Sequence, residues 1–516
     1  MSFPNMTMPS TATQWLTAAA ATLFIYFSAS IFYYCYVHPL SKFPGPKFAS
    51  ISRLPFAVSA VRGQTYKWLD ELHARYGPIV RIAPGELTII TPGAWQDIYQ
   101  TRHQMPKDPH SQTPPLNNAH SLFTAEGPTH ARIRRTFLGA FSDKALRDQG
   151  PIIESHTQLL IQRLRRECAK DPKVDLARFY GYAALDIIAD LTFGESFHGL
   201  EGDNGHEWIQ AFFLGAKFGA VRNSLSYFYP LDRVFGWVFL RLTSKFRHQN
   251  WRLTEQNITK RLQIAEDGIE RADFMTPVIG NVMSAEKQNQ GQGQQDKGIT
   301  RLELNTNSLA VVIAGCQLTT VALATATHLL LKSPQSYARL RDEVRSTFAN
   351  EKEIQVSTIH SLPYLSAVVD ETLRIHHPTP IHLPRIVPPE GATVDGHYIP
   401  GKTVIGMALQ TAQTHPDYWH EPLEFHPERF LPPTHEWYDT RFQNDNKDTF
   451  HPFSLGNRNC LGYKVFLAKA KLILARVFFT FDMEPSQLPE KDWMDQAAFL
   501  VFEPSPLVAQ IKERVI

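Results

Sequence analysis

Phe453-Ser454-Leu455-Gly456-Asn457-Arg458-Asn459-Cys460-Leu461-Gly462 runs without a break into GYKVFLAKAKLILARVFFTF, residues 462–481, whose apolar positions recur at helical spacing. The cysteine therefore sits at a helix start. Free amide donors and the positive end of the helix dipole favour the thiolate there, the form that ligates a metal. Gly456 and Gly462 read as points of close backbone approach, Phe453 as a shield for the sulfur, and Arg458 as the partner of an anionic cofactor group.

The remaining cysteines, Cys35, Cys168 and Cys316, match no zinc spacing and no small disulfide framework, so a reducing compartment and singly buried thiols are expected. The chain has 516 residues, 43% hydrophobic and 20% charged, the balance of a folded protein with a sizeable core. A formal charge of +2 and a pI near 8.2 exclude a nucleic-acid partner, which would need a concentrated basic face.

From Trp15 to Tyr36 the chain carries no charge over roughly 22 residues, enough to cross about 30 Å of hydrocarbon as a helix. A cleaved signal is the alternative, but no Lys or Arg precedes the run and the run exceeds a typical signal core. Lys42 and Lys47 follow the span closely, which puts the bulk of the chain in the cytoplasm. Phe43-Pro44-Gly45-Pro46 cannot continue a helix. The expected organisation is a lumenal tip and anchor over 1–37, a Pro-rich hinge over 38–48 and one catalytic domain over 49–516. Helical spacing recurs over 128–146, 151–168, 248–280, 301–332, 335–349, 361–376 and 461–482. Short β-prone runs fall at Ile79–Ile82, Leu87–Thr91, Thr393–Val394, Thr403–Met407 and Phe499–Val501. Residues 284–300, rich in Gln and Gly, read as a solvated loop, and 377–460, dense in Pro and His, needs a tertiary staple.

The cysteine loop resembles that of the cytochrome P450 superfamily, which reads Phe, any two, Gly, any, basic, any, Cys, any, Gly, and every fixed position is present. The resemblance extends over nearly the whole chain and is closest to membrane-bound enzymes of filamentous fungi that make natural products. It implies a mainly α fold with small β-sheets, a triangular helical domain with a minor β region. It implies heme b (iron protoporphyrin IX) with Cys460 as axial thiolate, a ligand that pushes electron density onto iron and suits it to oxygen activation. Glu371-Thr-Leu-Arg374 and Pro427-Glu428-Arg429-Phe430 match the family's buried triad of Glu371, Arg374 and Arg429, which would be the staple. His130 and Arg134, one helical turn apart, and Arg385 of Leu383-Pro384-Arg385 resemble its propionate contacts. The segment LAVVIAGCQLTTVALATATHLLLKSP resembles the helix over the distal heme face, with Ala314-Gly315 allowing close approach to an iron-bound ligand.

The family's distal pattern continues with an acid, a Thr and a second alcohol, and here the places are held by Gln317, Leu318 and Thr319. Neither an amide nor an isobutyl group relays protons as acid and alcohol do, and Thr319 lies about 100° further round the helix. Two readings follow: a monooxygenase whose protons come from water or a substrate hydroxyl, or a heme enzyme of rearrangement, dehydration, desaturation or ring formation without net oxygen insertion. A non-catalytic heme sensor or lipid binder is the reading from another class. The chain has no dinucleotide fingerprint, so a separate reductase is expected. The family implies the NADPH-dependent membrane flavoprotein, assisted in some members by cytochrome b5, and the endoplasmic reticulum membrane as location. Lys464, Lys469 and Lys471, with Arg134 or Arg135, form a candidate basic docking face. By position in the family, a lipophilic substrate would touch Ser121–Thr124, Phe212–Phe218, the distal helix, Thr379–His382 and Phe499–Val501.

Overall fold

The computed structural model describes residues 12–100, 105–112, 114–202, 206–280, 298–486 and 492–514. Helix α1 (Ala12–Phe32) leaves Leu16, Phe24, Ile25 and Tyr26 exposed, so its apolar side chains have no protein surface to cover them. Gln14–Val37 has the length and hydropathy of a membrane span. The Pro-rich stretch behind it is tied to the globule. Leu40 and Phe43 are buried, Arg81 donates to the Tyr34 carbonyl at 2.7 Å, and Gly45 lies so close to the Arg81 carbonyl that no Cβ fits.

The globule is a helical mass with a small sheet at one side. Its helices include α2 (Leu54–Val61), α3 (Gly127–Leu138), α4 (Leu176–Phe193), α5 (His206–Leu225), α6 (Leu231–Leu242), α7 (Arg301–Lys332), α8 (Pro363–Ile375) and α9 (Tyr463–Thr480). The sheet of β1 (Ile79–Ala83), β2 (Glu86–Ile89), β3 (His382–Ile386) and β4 (Val404–Ala408) has the order β1-β2-β4-β3, with β2 and β4 parallel and the other pairs antiparallel. A three-stranded sheet of Lys173–Asp175, Val508–Glu513 and Phe481–Pro485 brings the carboxyl end back beside α9.

Helix α7 is the spine. A capping box of Thr300 and Glu303 opens it, and its 32 residues extend about 48 Å through the core. It is apolar enough to resemble a second membrane span, but most of it is buried against protein. Its main partner is α4, and the contact needs Gly315: a Cβ there would clash with Ile188 of α4. Gly315 thus serves the close approach of two helices.

Several expectations shift at their edges. The run 248–280 is not one helix, because Ser244–Glu266 ends where Gly268 takes a φ of +78°. Asp143–Lys170 continues through Pro151, where the periodicity had suggested a fresh start. Residues 284–297 of the Gln-rich segment lie outside the described residues.

The Pro- and His-rich region is held by buried ion pairs. Arg374 donates to both carboxylate oxygens of Glu371, at 2.7 and 2.8 Å, and Arg429 adds a bond of 3.1 Å to the same carboxylate. Arg374 also donates to the Gln413 and Pro422 carbonyls, and Arg429 to that of His420. Asp445 pairs with Arg429 as a fourth member. Two carboxylates thus face two guanidiniums, all four side chains at most 1% exposed, a composition that avoids an uncompensated buried charge.

Candidate active site

The cysteine loop is a backbone construction before it is a chemical one. Ser454 and Gly456 both take positive φ, +59° and +71°, and the turn closes with the Cys460 amide donating to the Phe453 carbonyl at 2.8 Å. Gly456 therefore needs its missing Cβ. Gly462 does not: its φ is ordinary, and a Cβ would only touch Phe141 at 3.7 Å. Phe453 packs on α9, its ring 5.6 Å from that of Phe466.

Cys460 lies deep in the molecule, yet its side chain is accessible, as it must be when it lines a cavity. Burial pushes its thiol above the ordinary range, against the Gly462 amide and the Arg134 charge, which both act to lower it. The helix-start effect expected to favour the thiolate is real but outweighed, so a bound cationic metal would have to complete the deprotonation.

Around this cavity the chain assembles cations. Arg134 donates to the carbonyl and side chain of Asn459, one residue before the cysteine. Arg458 donates to the Ala125 carbonyl at 3.0 Å and to Glu126 at 2.6 Å. Arg385 stands 5.1 Å from the Tyr99 ring centre, and its buried Nε has no partner. A backbone bridge sets Lys107 beside Arg385, a residue that no motif had marked. Burial, then the neighbouring Arg458 and Arg385, pull the Lys107 pKa down to about 8. Burial, with Arg458, Arg134 and Lys107 behind it, pulls that of His130 down to about 4. Four cations and a neutral imidazole thus gather, and among the described residues Glu126 bonds one of them, Arg458. Such a cluster is built for anions and suits the two carboxylates of a heme.

Helix α7 carries a further accessible surface. Ala310, Val311, Ile313, Ala314, Gly315 and Leu318 stay partly accessible on a helix whose neighbouring turns are buried, and among them Val311, Ala314, Gly315 and Leu318, at i, i+3, i+4, i+7, share one face. Leu318 thus presents an isobutyl group where the family has an alcohol. Gln317 and Thr319 turn inward: Gln317 is buried with its Nε2 unpartnered, and the Thr319 hydroxyl donates to the Gly315 carbonyl at 2.9 Å. Among the described residues no three His, Cys, Asp or Glu side chains cluster as metal ligands. The residues present fit a heme.

Lys469 corrects the proposed docking face. It is buried and donates to the Gly315 carbonyl at 2.8 Å, joining α9 to α7. Helix geometry gives the reason: 464 and 471 share a face seven residues apart, while 469 falls about 140° away from 464. Lys464 pairs with Asp143 at 2.6 Å, Lys471 bonds Ser366 at 2.8 Å, and Arg135 is exposed.

Of the expected substrate segments, 379–382 and 499–501 come together. Pro380, Ile381, His382 and Leu500 share a cavity of about 150 Å³ with Arg53 and Glu86. Its helical wall is α2, through Phe56 and Ala60, and the end of α5, from Ala220 onward; no described side chain of 212–218 lines it. Phe218 instead meets Phe239 of α6, and the Phe212 side chain lies outside the described residues. The 121–124 segment is fixed to α7 by the Leu122 amide, which donates to Asn307 at 2.8 Å.

Residues 44–510 match the family model described as Cytochrome P450. The chain is 35% identical over 505 residues to "Cytochrome P450 monooxygenase lcsI" of Purpureocillium lilacinum, covering 96% of this chain and 93% of the relative. It is 35% identical over 502 residues to "Averantin hydroxylase" of Dothistroma septosporum (97% and 91%), and 34% identical over 486 residues to "Cytochrome P450 monooxygenase astA" of Talaromyces wortmannii (93% and 94%). Since these matches run through the cysteine loop, the paired arginines and the spine helix alike, the chain belongs to the cytochrome P450 family.

Proposed function

We propose that this chain binds heme b through Cys460 and inserts one atom of dioxygen into a lipophilic secondary metabolite, a terpenoid, polyketide or alkaloid intermediate. The observation that carries the reading is an accessible cysteine deep in the fold beside an anion-seeking cluster of cations. Cys460 would ligate the iron, and His130, Arg134, Arg385 and Arg458, with Lys107, would hold the propionates. Bound there, heme supplies the redox metal at which dioxygen is activated.

The chain's own work is placement and exclusion. The α7 stripe is apolar, so it packs against a hydrocarbon framework and keeps bulk water out. Leu318 offers no hydroxyl, and the Thr319 hydroxyl is committed to the Gly315 carbonyl. A proton for the reaction then comes from a water or from a hydroxyl of the substrate. Relatives named as a hydroxylase and as monooxygenases support insertion. The Gln317-Leu318 pair is the one observation that favours the second reading, a rearrangement, dehydration, desaturation or ring closure without oxygen insertion. Turnover under isotopically labelled dioxygen tests the choice: one labelled atom in the product is the expected result, and unlabelled product moves the assignment to the second reading.

Electrons would come from NADPH through a separate reductase, with cytochrome b5 as an auxiliary donor, on the face carrying Arg135, Lys464 and Lys471. The exposed apolar α1 supports a single-pass anchor in the endoplasmic reticulum membrane with the catalytic domain in the cytoplasm.

A further inference from the structure

Asn307, in the second turn of α7, has a side chain with no exposure to water, and no motif had marked it. Both ends of its amide are engaged. Oδ1 accepts from the Leu122 amide at 2.8 Å, and Nδ2 donates to the His120 carbonyl at 3.2 Å and to the Glu303 carbonyl at 2.8 Å. The partners are all backbone atoms, each a donor or an acceptor by its nature, so the contacts themselves fix which end of the amide carries the oxygen.

The segment held in this way is braced as one piece. The Ser121 carbonyl accepts from the Thr124 and Ala125 amides, at 3.1 and 2.8 Å, and the Thr124 hydroxyl accepts from the Ser121 amide at 2.9 Å. Ser121 and Ala125 are buried. The next carbonyls of the turn meet members of the cation cluster: Lys107 donates to that of Phe123 at 2.6 Å, and Arg458 to that of Ala125 at 3.0 Å. A second tether runs beside the first. Glu303, one turn before Asn307, accepts from Arg132 at 2.6 and 3.0 Å, and Arg132 stands on α3 between His130 and Arg134.

We propose that Asn307 is a positioning residue for heme binding, which acts through the 120–125 turn to aim Lys107 and Arg458 at the propionates. Neither cation needs the turn for its charge. Both need it for their direction, because long side chains left to themselves spread over many rotamers. The proposal rests on the reading of this cluster as the propionate site and adds how α7 holds that site in shape.

The test follows heme loss from the full-length, heme-loaded protein in detergent micelles, by transfer to excess apomyoglobin. The propionate bending bands of the resonance Raman spectrum give a second readout. Asn307→Leu keeps the volume of the side chain and removes the tether. Thr124→Val loosens the same turn more gently, and it carries the test alone should Asn307→Leu fail to fold. Each of these variants, and Lys107→Met likewise, is expected to speed heme loss about tenfold and to shift the propionate bands, with the carbon monoxide band of the reduced protein unchanged. Combined with Lys107→Met, either turn variant should lose heme at least about threefold more slowly than the product of the two single effects, since tether and cation act as one unit. Single effects that simply multiply would overturn the proposal, and so would heme loss at the wild-type rate in the turn variants. A wild type that takes up no heme, or a Lys107→Met variant with unaltered heme loss and propionate bands, would overturn the underlying reading of the cluster instead.

Discussion

Lys469 reaches the Gly315 carbonyl from inside the protein, and burial pulls its pKa down to about 8. An unfolded lysine titrates near roughly 10.4. Below pH 8 both states are protonated, and folding carries the whole cost of burying the ammonium, on the order of 3 kcal/mol for a shift of about two units. Between about pH 8 and 10 the folded protein loses the proton first, the unfolded chain binds more protons, and stability rises with pH. Lys469→Met should therefore be more stable than the wild type at pH 7, with an advantage that shrinks as the pH approaches 10. Urea unfolding across that range checks it, and a difference independent of pH would contradict it. Nothing in the sequence set Lys469 apart from Lys464 and Lys471 except its angle round the helix, which a count of charges does not use. Cys460, by contrast, was legible because its loop joins several fixed residue types at fixed spacings.

At the scale of elements, the four-charge network ties α8 to the chain between residues 413 and 445. Glu371→Ala would leave two guanidiniums in a site with no exposure to water, at a cost of about 3–5 kcal/mol. The expected outcome is loss of heme incorporation, read from the ratio of heme to protein. Asp445→Asn should lower the same ratio less, since Arg429 keeps its bond to Glu371; normal holoprotein from both variants would contradict the network. The sequence revealed the three residues that lie in recognisable motifs, and it hid Asp445, which reaches Arg429 from an irregular segment without a pattern of its own. Helix α4 was hidden for the opposite reason. It is buried on nearly every face, so its apolar residues show less of the one-sided periodicity by which α3 and α8 were read. Strand β3 escaped notice because Pro384 and Arg385 interrupt its apolar run. Lys107 joins Arg385 only because the fold brings together segments hundreds of residues apart.

For the whole molecule, the exposed apolar surface does not end with the anchor. Leu54, Val58 and Val61 of α2 and Val234, Trp237 and Leu242 of α6 are also exposed, and both helices pack on α5, beside the cavity mouth. We propose that this patch would seat the globule on the bilayer and let a lipophilic substrate enter without crossing water. Protein lacking residues 1–37 should still float with lipid vesicles, and Val58→Asp/Trp237→Asp in that background should release it; flotation unaffected by the two aspartates would contradict the seating.

The central claim, that Cys460 carries a heme iron as a thiolate, is tested most directly by the carbon monoxide difference spectrum of the reduced protein. The wild type should show the long-wavelength band of thiolate-ligated heme, and Cys460→Ser should lose that band together with turnover. An unaltered band in Cys460→Ser would contradict the account.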